Sequence, residues 1–168
     1  MKKGENKQKQ VFGLVIALVA VLLGGVLFMG AVSGWFGDSE IVLDEEYYCT
    51  ECDGEFMELA NAEYEELINN NATFVVFVDQ GGCTTADNLR GFVKDWTKEN
   101  GIKVYRMMFS DMKETSLHES VKFYPSVAIV SKGKPVAWLR ADADEDAAAY
   151  NNYDDFASWV EKYIAIKQ

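Results

Sequence analysis

The chain has 168 residues and a formal net charge of −11, and about half of its residues are apolar. These apolar residues suffice for a core and argue against disorder, while three cysteines are too few for a disulfide-stapled miniprotein. Four lysines and one glutamate precede residue 38, a net charge of +3, so the remainder carries −14. A surface this acidic argues against binding to nucleic acid or anionic lipid.

The N-terminal part of the sequence predicts a membrane anchor. Residues 1–10 are polar and basic, whereas residues 11–36 contain no ionisable side chain. In a helix, this apolar stretch is long enough to cross the ~30 Å hydrocarbon core of a bilayer. Because lysines before a span stay in the cytoplasm, we predict a cytoplasmic tail over 1–10 and a single-pass signal anchor over 11–36 in the cell membrane. The rest of the chain would then be extracytoplasmic. A cleaved signal peptide, with a small-residue cleavage site at 31–33, is the alternative.

Residues 37–54 read as an acidic tether that carries Cys49 and Cys52. The Cys-x-x-Cys spacing brings two sulfur atoms within reach of one disulfide or one metal ion. Three interpretations remain open: a disulfide between the two cysteines, a dithiol that exchanges with Cys83 or with a partner, and a zinc site completed by Cys83 and His118. Zinc sites usually have a second close pair of ligands, which this sequence lacks, so we predict the disulfide and no metal.

The domain predicted for residues 55–168 alternates helices and strands. A helix over 55–70 precedes a buried strand over 73–78, and two glycines then lead to a helix that begins at Cys83. The remaining predicted elements are a strand over 102–109, a short helix over 116–122, strands over 127–130 and 135–139, and a helix over 153–166. A helical crossover joins parallel strands and a hairpin joins antiparallel strands, so the sheet is expected to be mixed.

Cys83 is the candidate nucleophile. Backbone N–H groups and the positive end of the helix dipole favour a thiolate at the start of a helix. Thr84 or Thr85 could cap this helix and donate a hydrogen bond to the sulfur. The alternatives are an inert, partly buried cysteine and a covalent partner for Cys49 or Cys52.

The order of these elements, with Cys83 at the first strand-to-helix turn and Tyr124-Pro125 ahead of the third strand, resembles the thioredoxin family over about two thirds of the chain. The resemblance implies an α/β fold, with a central mixed sheet flanked by helices, that follows one N-terminal transmembrane helix. It also implies a cis peptide at Tyr124-Pro125. In the family this proline faces the active-site cysteine and holds substrate backbone, so Tyr124 and Pro125, together with Thr84 and Thr85, are the predicted substrate-binding residues.

The active-site sequence departs from the family pattern. Family oxidoreductases have Cys-x-x-Cys at the helix start, whereas this chain has Cys-x-x-Ala, with Ala86 in place of the resolving cysteine. The buried aspartate of many members corresponds to Phe77. A mixed disulfide at Cys83 would therefore need an outside thiol for its release.

Two functions follow as hypotheses, and neither requires a cofactor. The first is thiol–disulfide exchange through Cys83, with an exported protein or a small thiol as partner and with Cys49 and Cys52 as a resolving pair. The second is a non-catalytic thioredoxin-like module that binds an exported partner beside Pro125 and holds it at the membrane.

Overall fold

We describe residues 40–166 of the chain in a computed structural model. The structure has five strands and four α-helices in these residues. In chain order they are β1 (Met57–Glu58), α1 (Asn61–Asn69), β2 (Phe74–Asp79), α2 (Thr84–Asn100), β3 (Tyr105–Met108), α3 (Phe109–Met112), β4 (Ser126–Ser131), β5 (Lys134–Trp138) and α4 (Tyr153–Glu161). Short 3₁₀ helices lie at Glu45–Tyr47, Ser116–Glu119 and Asp144–Tyr150.

The five strands form one mixed sheet in the order β1-β3-β2-β4-β5. Strand β3 runs parallel to β1 and β2, while β4 runs antiparallel to β2 and β5. This arrangement confirms the predicted mixed sheet, including the parallel crossover through α2 and the β4–β5 hairpin.

Strand β2 lies in the middle of the sheet, and all six of its residues are buried. Its side chains alternate between the two faces of the sheet. On one face Phe74 packs edge-on against Tyr64 of α1, with ring centroids 6.2 Å apart. On the other face Asp79 pairs with Arg90 of α2. Helices therefore cover both faces, which explains why the β2 sequence is apolar almost throughout.

The predicted helix over 55–70 is wrong in its first part. Met57 and Glu58 form β1, and their backbone pairs with β3: the Met57 N–H donates to Val104 O at 3.1 Å and the Leu59 N–H to Arg106 O at 2.8 Å. Over so short a segment, the apolar spacing fits either element. The last predicted helix is also shorter than expected, since α4 ends at Glu161.

The predicted tether is wrong from residue 40 onward, because the compact unit begins at Glu40 and not at residue 55. Leu43 and Tyr47 are buried in the core. The Asp44 carboxylate accepts a hydrogen bond from the Thr73 N–H at 2.8 Å. Ile41 pairs with the chain next to Ile164, beyond the end of α4. The acidic side chains of this segment are exposed, while Leu43 and Tyr47 complete the core.

The predicted cytoplasmic tail over 1–10 and the predicted transmembrane helix over 11–36 lie outside the described residues. Between residues 40 and 166, no helix has the length and apolar character needed to cross a membrane.

Candidate functional site

Cys83 lies at the junction of β2 and α2, as the residue that precedes the first turn of the helix. Its backbone is extended, with φ −121° and ψ 125°, and its carbonyl oxygen accepts a hydrogen bond from the Asp87 N–H at 3.0 Å. The thiol is free and half-exposed. Gly82, the residue before Cys83, has a φ of +75°. A Cβ atom placed on Gly81 or Gly82 would have no other atom within 4 Å. The loop before Cys83 is therefore open on its outer side, and the sulfur can be reached from solvent.

The helix start stabilises the thiolate of Cys83. Hydrogen bonds from the backbone N–H of Ala86, then from that of Thr85, lower the pKa of the thiol, and the Thr85 hydroxyl adds to this effect. Together they outweigh partial burial and the negative charge of Asp87, both of which raise the pKa. Cys83 itself occupies the N-cap position, so Thr84 and Thr85 are first-turn residues and not the predicted caps. Both threonines are exposed and can contact a molecule bound at the sulfur.

The Tyr124–Pro125 peptide is cis, as the resemblance implied. The next residue, Ser126, pairs with Val78 in β2, so Pro125 lies at the end of the sheet from which the Cys83 loop emerges. Pro125 is buried, and its carbonyl oxygen accepts a hydrogen bond from the Tyr150 hydroxyl at 3.0 Å.

Tyr124 is half-exposed beside this peptide, and its ring stacks on Phe109 with centroids 3.3 Å apart. Phe109 follows β3 directly, so it also belongs to the end of the sheet that carries Cys83. The predicted substrate-binding residues therefore lie at the same end of the sheet, and one of them, Tyr124, stacks on Phe109.

The sequence analysis missed a buried ion cluster at the same end of the sheet. Asp79 lies just outside the strand predicted over 73–78, but it is the last residue of β2 and is fully buried. Arg90 donates to both of its carboxylate oxygens, from Nε at 2.9 Å and from Nη2 at 2.7 Å. Arg106 of β3 donates from Nε to the same carboxylate at 2.8 Å. The available signal was a carboxylate that ended an apolar run in a chain with only three arginines.

The two guanidinium groups keep the Asp79 carboxylate ionised. Burial raises the pKa of this group, but hydrogen bonds and charge from Arg90, and then from Arg106, outweigh it and leave the pKa below its ordinary value. Outer carboxylates complete the cluster: Arg90 also pairs with Asp87 at 2.6 Å, and Arg106 with Glu58 at 3.0 Å. The cluster thus joins β1, β3, β2 and α2 around a carboxylate four residues before Cys83.

Solved structures resemble this domain. The solution structure of oxidised thioredoxin from Plasmodium falciparum is 17% identical and has a TM-score of 0.51, over 66% of this chain and 100% of that one. This domain has a thioredoxin-like fold.

Two further thioredoxins are similar at lower scores. A mutant thioredoxin from Halobacterium salinarum NRC-1 is 15% identical, with a TM-score of 0.49 over 71% of this chain and 99% of that one. The protein from Trypanosoma brucei brucei is 9% identical, with a TM-score of 0.46 over 65% of this chain and 96% of that one. The sequence matches no protein-family model and no curated protein.

The thioredoxin-like domain holds its other two cysteines far from Cys83. Cys49 and Cys52 form a disulfide with their Cα atoms 5.7 Å apart. The Cys49 N–H donates to the carbonyl oxygen of Gly101, which ends α2, at 2.9 Å. Helix α2 has 17 residues and is therefore about 25 Å long. Cys83 and the disulfide lie at opposite ends of this helix.

This separation corrects two interpretations of the sequence. Cys49 and Cys52 cannot resolve a mixed disulfide at Cys83 within the same molecule, because the sulfur atoms are too far apart to exchange. A zinc site that combines these cysteines with Cys83 is excluded for the same reason. His118 is half-buried in the 3₁₀ helix at Ser116–Glu119, and no cluster of metal-binding side chains occurs in residues 40–166.

Proposed function

We propose that this protein is a membrane-tethered, extracytoplasmic thiol–disulfide exchanger that uses Cys83 as its single nucleophile. The observation that carries the proposal is the free, half-exposed thiol of Cys83, whose pKa is lowered by the N–H groups of Ala86 and Thr85. The thiolate is the form that attacks a disulfide, so a helix start that stabilises it prepares the residue for exchange.

The exchange takes place in two steps. First, the Cys83 thiolate attacks one sulfur of a partner disulfide; the partner's S–S bond breaks, a mixed disulfide forms, and the other partner sulfur leaves as a thiolate. Ala86 cannot attack this intermediate, so an outside thiolate forms a new bond to the partner sulfur and Cys83 leaves as a thiolate again. The partner has then exchanged one sulfur for another, Cys83 is unchanged, and no cofactor is needed.

The partner in this proposal is an exported protein or a small thiol in its disulfide form, and a small thiol can also supply the outside thiolate. An extended partner segment would lie beside cis Pro125, with Tyr124 and the exposed threonines Thr84 and Thr85 at its sides. Residues 11–36 would anchor the chain, with the N-terminus in the cytoplasm and the thioredoxin-like domain outside. The Cys49–Cys52 disulfide supports this placement, because disulfides persist in oxidising compartments outside the cytoplasm.

A second candidate function is a binding module that holds an exported partner without chemistry. Ala86 favours it, since this buried residue stands where the resolving cysteine of the family would be. Phe77 favours it too, because a buried phenylalanine cannot move a proton as the family's aspartate does. Under this alternative, Pro125 and its neighbours bind the partner and Cys83 is dispensable.

The reaction of the full-length chain in detergent with oxidised glutathione tests the exchanger. We expect a glutathione adduct on Cys83 in peptide mass spectrometry, which forms on the folded chain and disappears when reduced glutathione is added. Cys83→Ser should abolish the adduct. If the folded wild-type chain forms no adduct and Cys83→Ser binds partners as well as the wild type does, the binding module is the correct function.

A further inference from the structure

The Cys49–Cys52 disulfide borders an open cleft of about 410 Å³, at the end of α2 remote from Cys83. Both cysteines are half-buried, so their sulfur atoms are neither sealed in the core nor free on the surface. Three apolar side chains, Phe56, Met57 and Ile102, line the cleft beside the disulfide. Phe56 is held in place by stacking on Phe77, with ring centroids 5.5 Å apart. The cleft is therefore present before any molecule binds, and the reducible disulfide forms part of its wall.

The fold does not depend on this disulfide, because the chain is anchored on both sides of it. Before it, the Lys103 N–H donates to Tyr47 O at 2.7 Å, and the Cys49 N–H donates to Gly101 O. After it, Gly54 is buried against α2 and Met57 enters the sheet. The bond closes a loop of only four residues, and the entropic stabilisation from a disulfide decreases as its loop shortens.

The loop between the two cysteines is held at its ends only. Within the described part of the chain, residues 50–52 make no hydrogen bond with any other segment. When the sulfur–sulfur bond opens, Cys52 can therefore move away from Cys49 without breaking a hydrogen bond to another described segment. Such a disulfide differs from a structural one, which joins segments that would otherwise separate.

We propose that Cys49–Cys52 is a second thiol-exchange site, which oxidises thiols of a partner and acts independently of Cys83. A partner thiolate attacks one sulfur of the disulfide, the Cys49–Cys52 bond breaks, and the other cysteine leaves as a thiolate and takes up a proton. A second partner thiolate then attacks the mixed disulfide and releases the first cysteine. The partner gains a disulfide, and Cys49 and Cys52 receive its two electrons and two protons as thiols. Exchange with another disulfide restores the site by the reverse steps.

The charges at the cleft favour a thiol that carries a positive group. Glu51, Asp53 and Glu55 line the cleft and are exposed, and Glu55 is paired with Lys94 Nζ at 3.0 Å. Lys103 is the one cation among the lining residues in the described structure, so the three carboxylates outnumber Lys94 and Lys103 by one. The Lys103 ammonium donates a hydrogen bond to Glu46 O at 3.2 Å. We therefore assign the site to cysteines that have lysine or arginine beside them, whose aliphatic stems can lie on the apolar floor.

The test uses the full-length Cys83→Ser chain in detergent, so that its outcome does not depend on the exchange proposed for Cys83. Cysteamine, a cationic thiol, and 2-mercaptoethanesulfonate, an anionic thiol, are added separately to the folded protein. Alkylation and peptide mass spectrometry then report the rate at which Cys49 and Cys52 become thiols. We expect both thiols to open the bond, with cysteamine faster by about threefold or more at low salt and a smaller difference at high salt.

Two variants serve as controls. Glu51→Gln should slow reduction by cysteamine and leave reduction by the anionic thiol unchanged or faster, which separates the electrostatic effect from the intrinsic reactivity of the thiols. The double variant Cys49→Ser, Cys52→Ser should fold and should melt within about 10 °C of the parent chain, because the disulfide closes a short loop. A disulfide that resists both thiols until the chain is unfolded, or a double variant that fails to fold, would show a structural bond and overturn the proposal. Equal response of both thiols to Glu51→Gln would overturn the assignment to cationic partners.

Discussion

Arg90 donates two hydrogen bonds to Asp79, at 2.7 and 2.9 Å, and thereby fixes helix α2 to the end of strand β2. Cys83 lies between these two residues in the chain. No atom lies within 4 Å of the Cβ position of either glycine that leads from the strand to Cys83, so the position of the sulfur depends on contacts at either end of this segment. This ion pair therefore helps to hold Cys83, the candidate nucleophile, at the end of the sheet.

Replacement of Asp79 by Asn should lower the free energy of unfolding by about 3 kcal/mol, because it leaves two guanidinium groups without their shared carboxylate. Asp87→Asn is the matched control: it removes the exposed partner of the same arginine and should cost less than about 1 kcal/mol. Urea denaturation of the full-length variants measures both. A similar small loss for the two variants would contradict the central role of Asp79.

The acid stability of the domain should depend on Asp79. Its pKa is lower in the folded chain than in the unfolded chain, so its contribution to stability is complete above about pH 4 and decreases as the pH falls through the folded pKa. The difference in unfolding free energy between the wild type and Asp79→Asn should therefore shrink as the pH falls below about 4. A difference that stays constant over this range would show that the carboxylate is not held ionised by its arginines.

Replacement of Ala86 by Cys should restore internal resolution at the candidate active site. The position is buried in the first turn of α2, three residues after Cys83. We expect Ala86→Cys to form a disulfide with Cys83 and to release glutathione from a mixed disulfide without added thiol, as mass spectrometry can follow. Ala86→Ser is the matched control and should retain the adduct. An adduct that persists equally in both variants would show that residue 86 cannot reach the sulfur.

A side chain at Gly101, the residue that ends α2, should destabilise the fold. Its φ is +61°, and a Cβ there would lie 2.6 Å from the carbonyl oxygen of Cys49. Gly101→Ala should therefore lower the free energy of unfolding by about 1–3 kcal/mol. Gly91→Ala, in an exposed position of the same helix with no atom within 4 Å of the new Cβ, should instead stabilise by about 0.5–1 kcal/mol. Thermal unfolding of the two variants gives the comparison, and a stable Gly101→Ala chain would contradict the close approach.

The sequence predicted the centre of this fold better than its edges. Strand β2 is apolar except for Asp79 because helices cover it on both sides, and such a strand is evident from composition alone. Strand β1, with two residues, is too short for a periodic pattern, so only its hydrogen bonds to β3 distinguish it from a helix. The charges of residues 40–54 are apparent in the sequence and predict a tether. The burial of Leu43 and Tyr47 in the same segment depends on contacts with distant residues, which the sequence does not display.

The candidate site shows the same limit. The position of Cys83 at a helix start follows from local sequence, and the cis peptide before Ser126 followed from the resemblance. The ion cluster did not, because Asp79, Arg90 and Arg106 belong to three elements and meet only in the folded domain. The distance between Cys83 and the disulfide could not be predicted from the sequence either, since it is set by the length of α2 and by the hydrogen bond between Cys49 and Gly101.

The pH dependence of Cys83 alkylation in the full-length chain tests the central claim most directly. Because N–H groups at the start of α2 stabilise the thiolate, the labelling rate of the folded chain should have its inflection below the free-thiol pKa of about 8.5. Thr85→Ala, which removes the hydroxyl that also lowers the pKa, should move the inflection upward. An inflection at or above about 8.5, or a thiol that reacts only after unfolding, would contradict the assignment of Cys83 as a nucleophile.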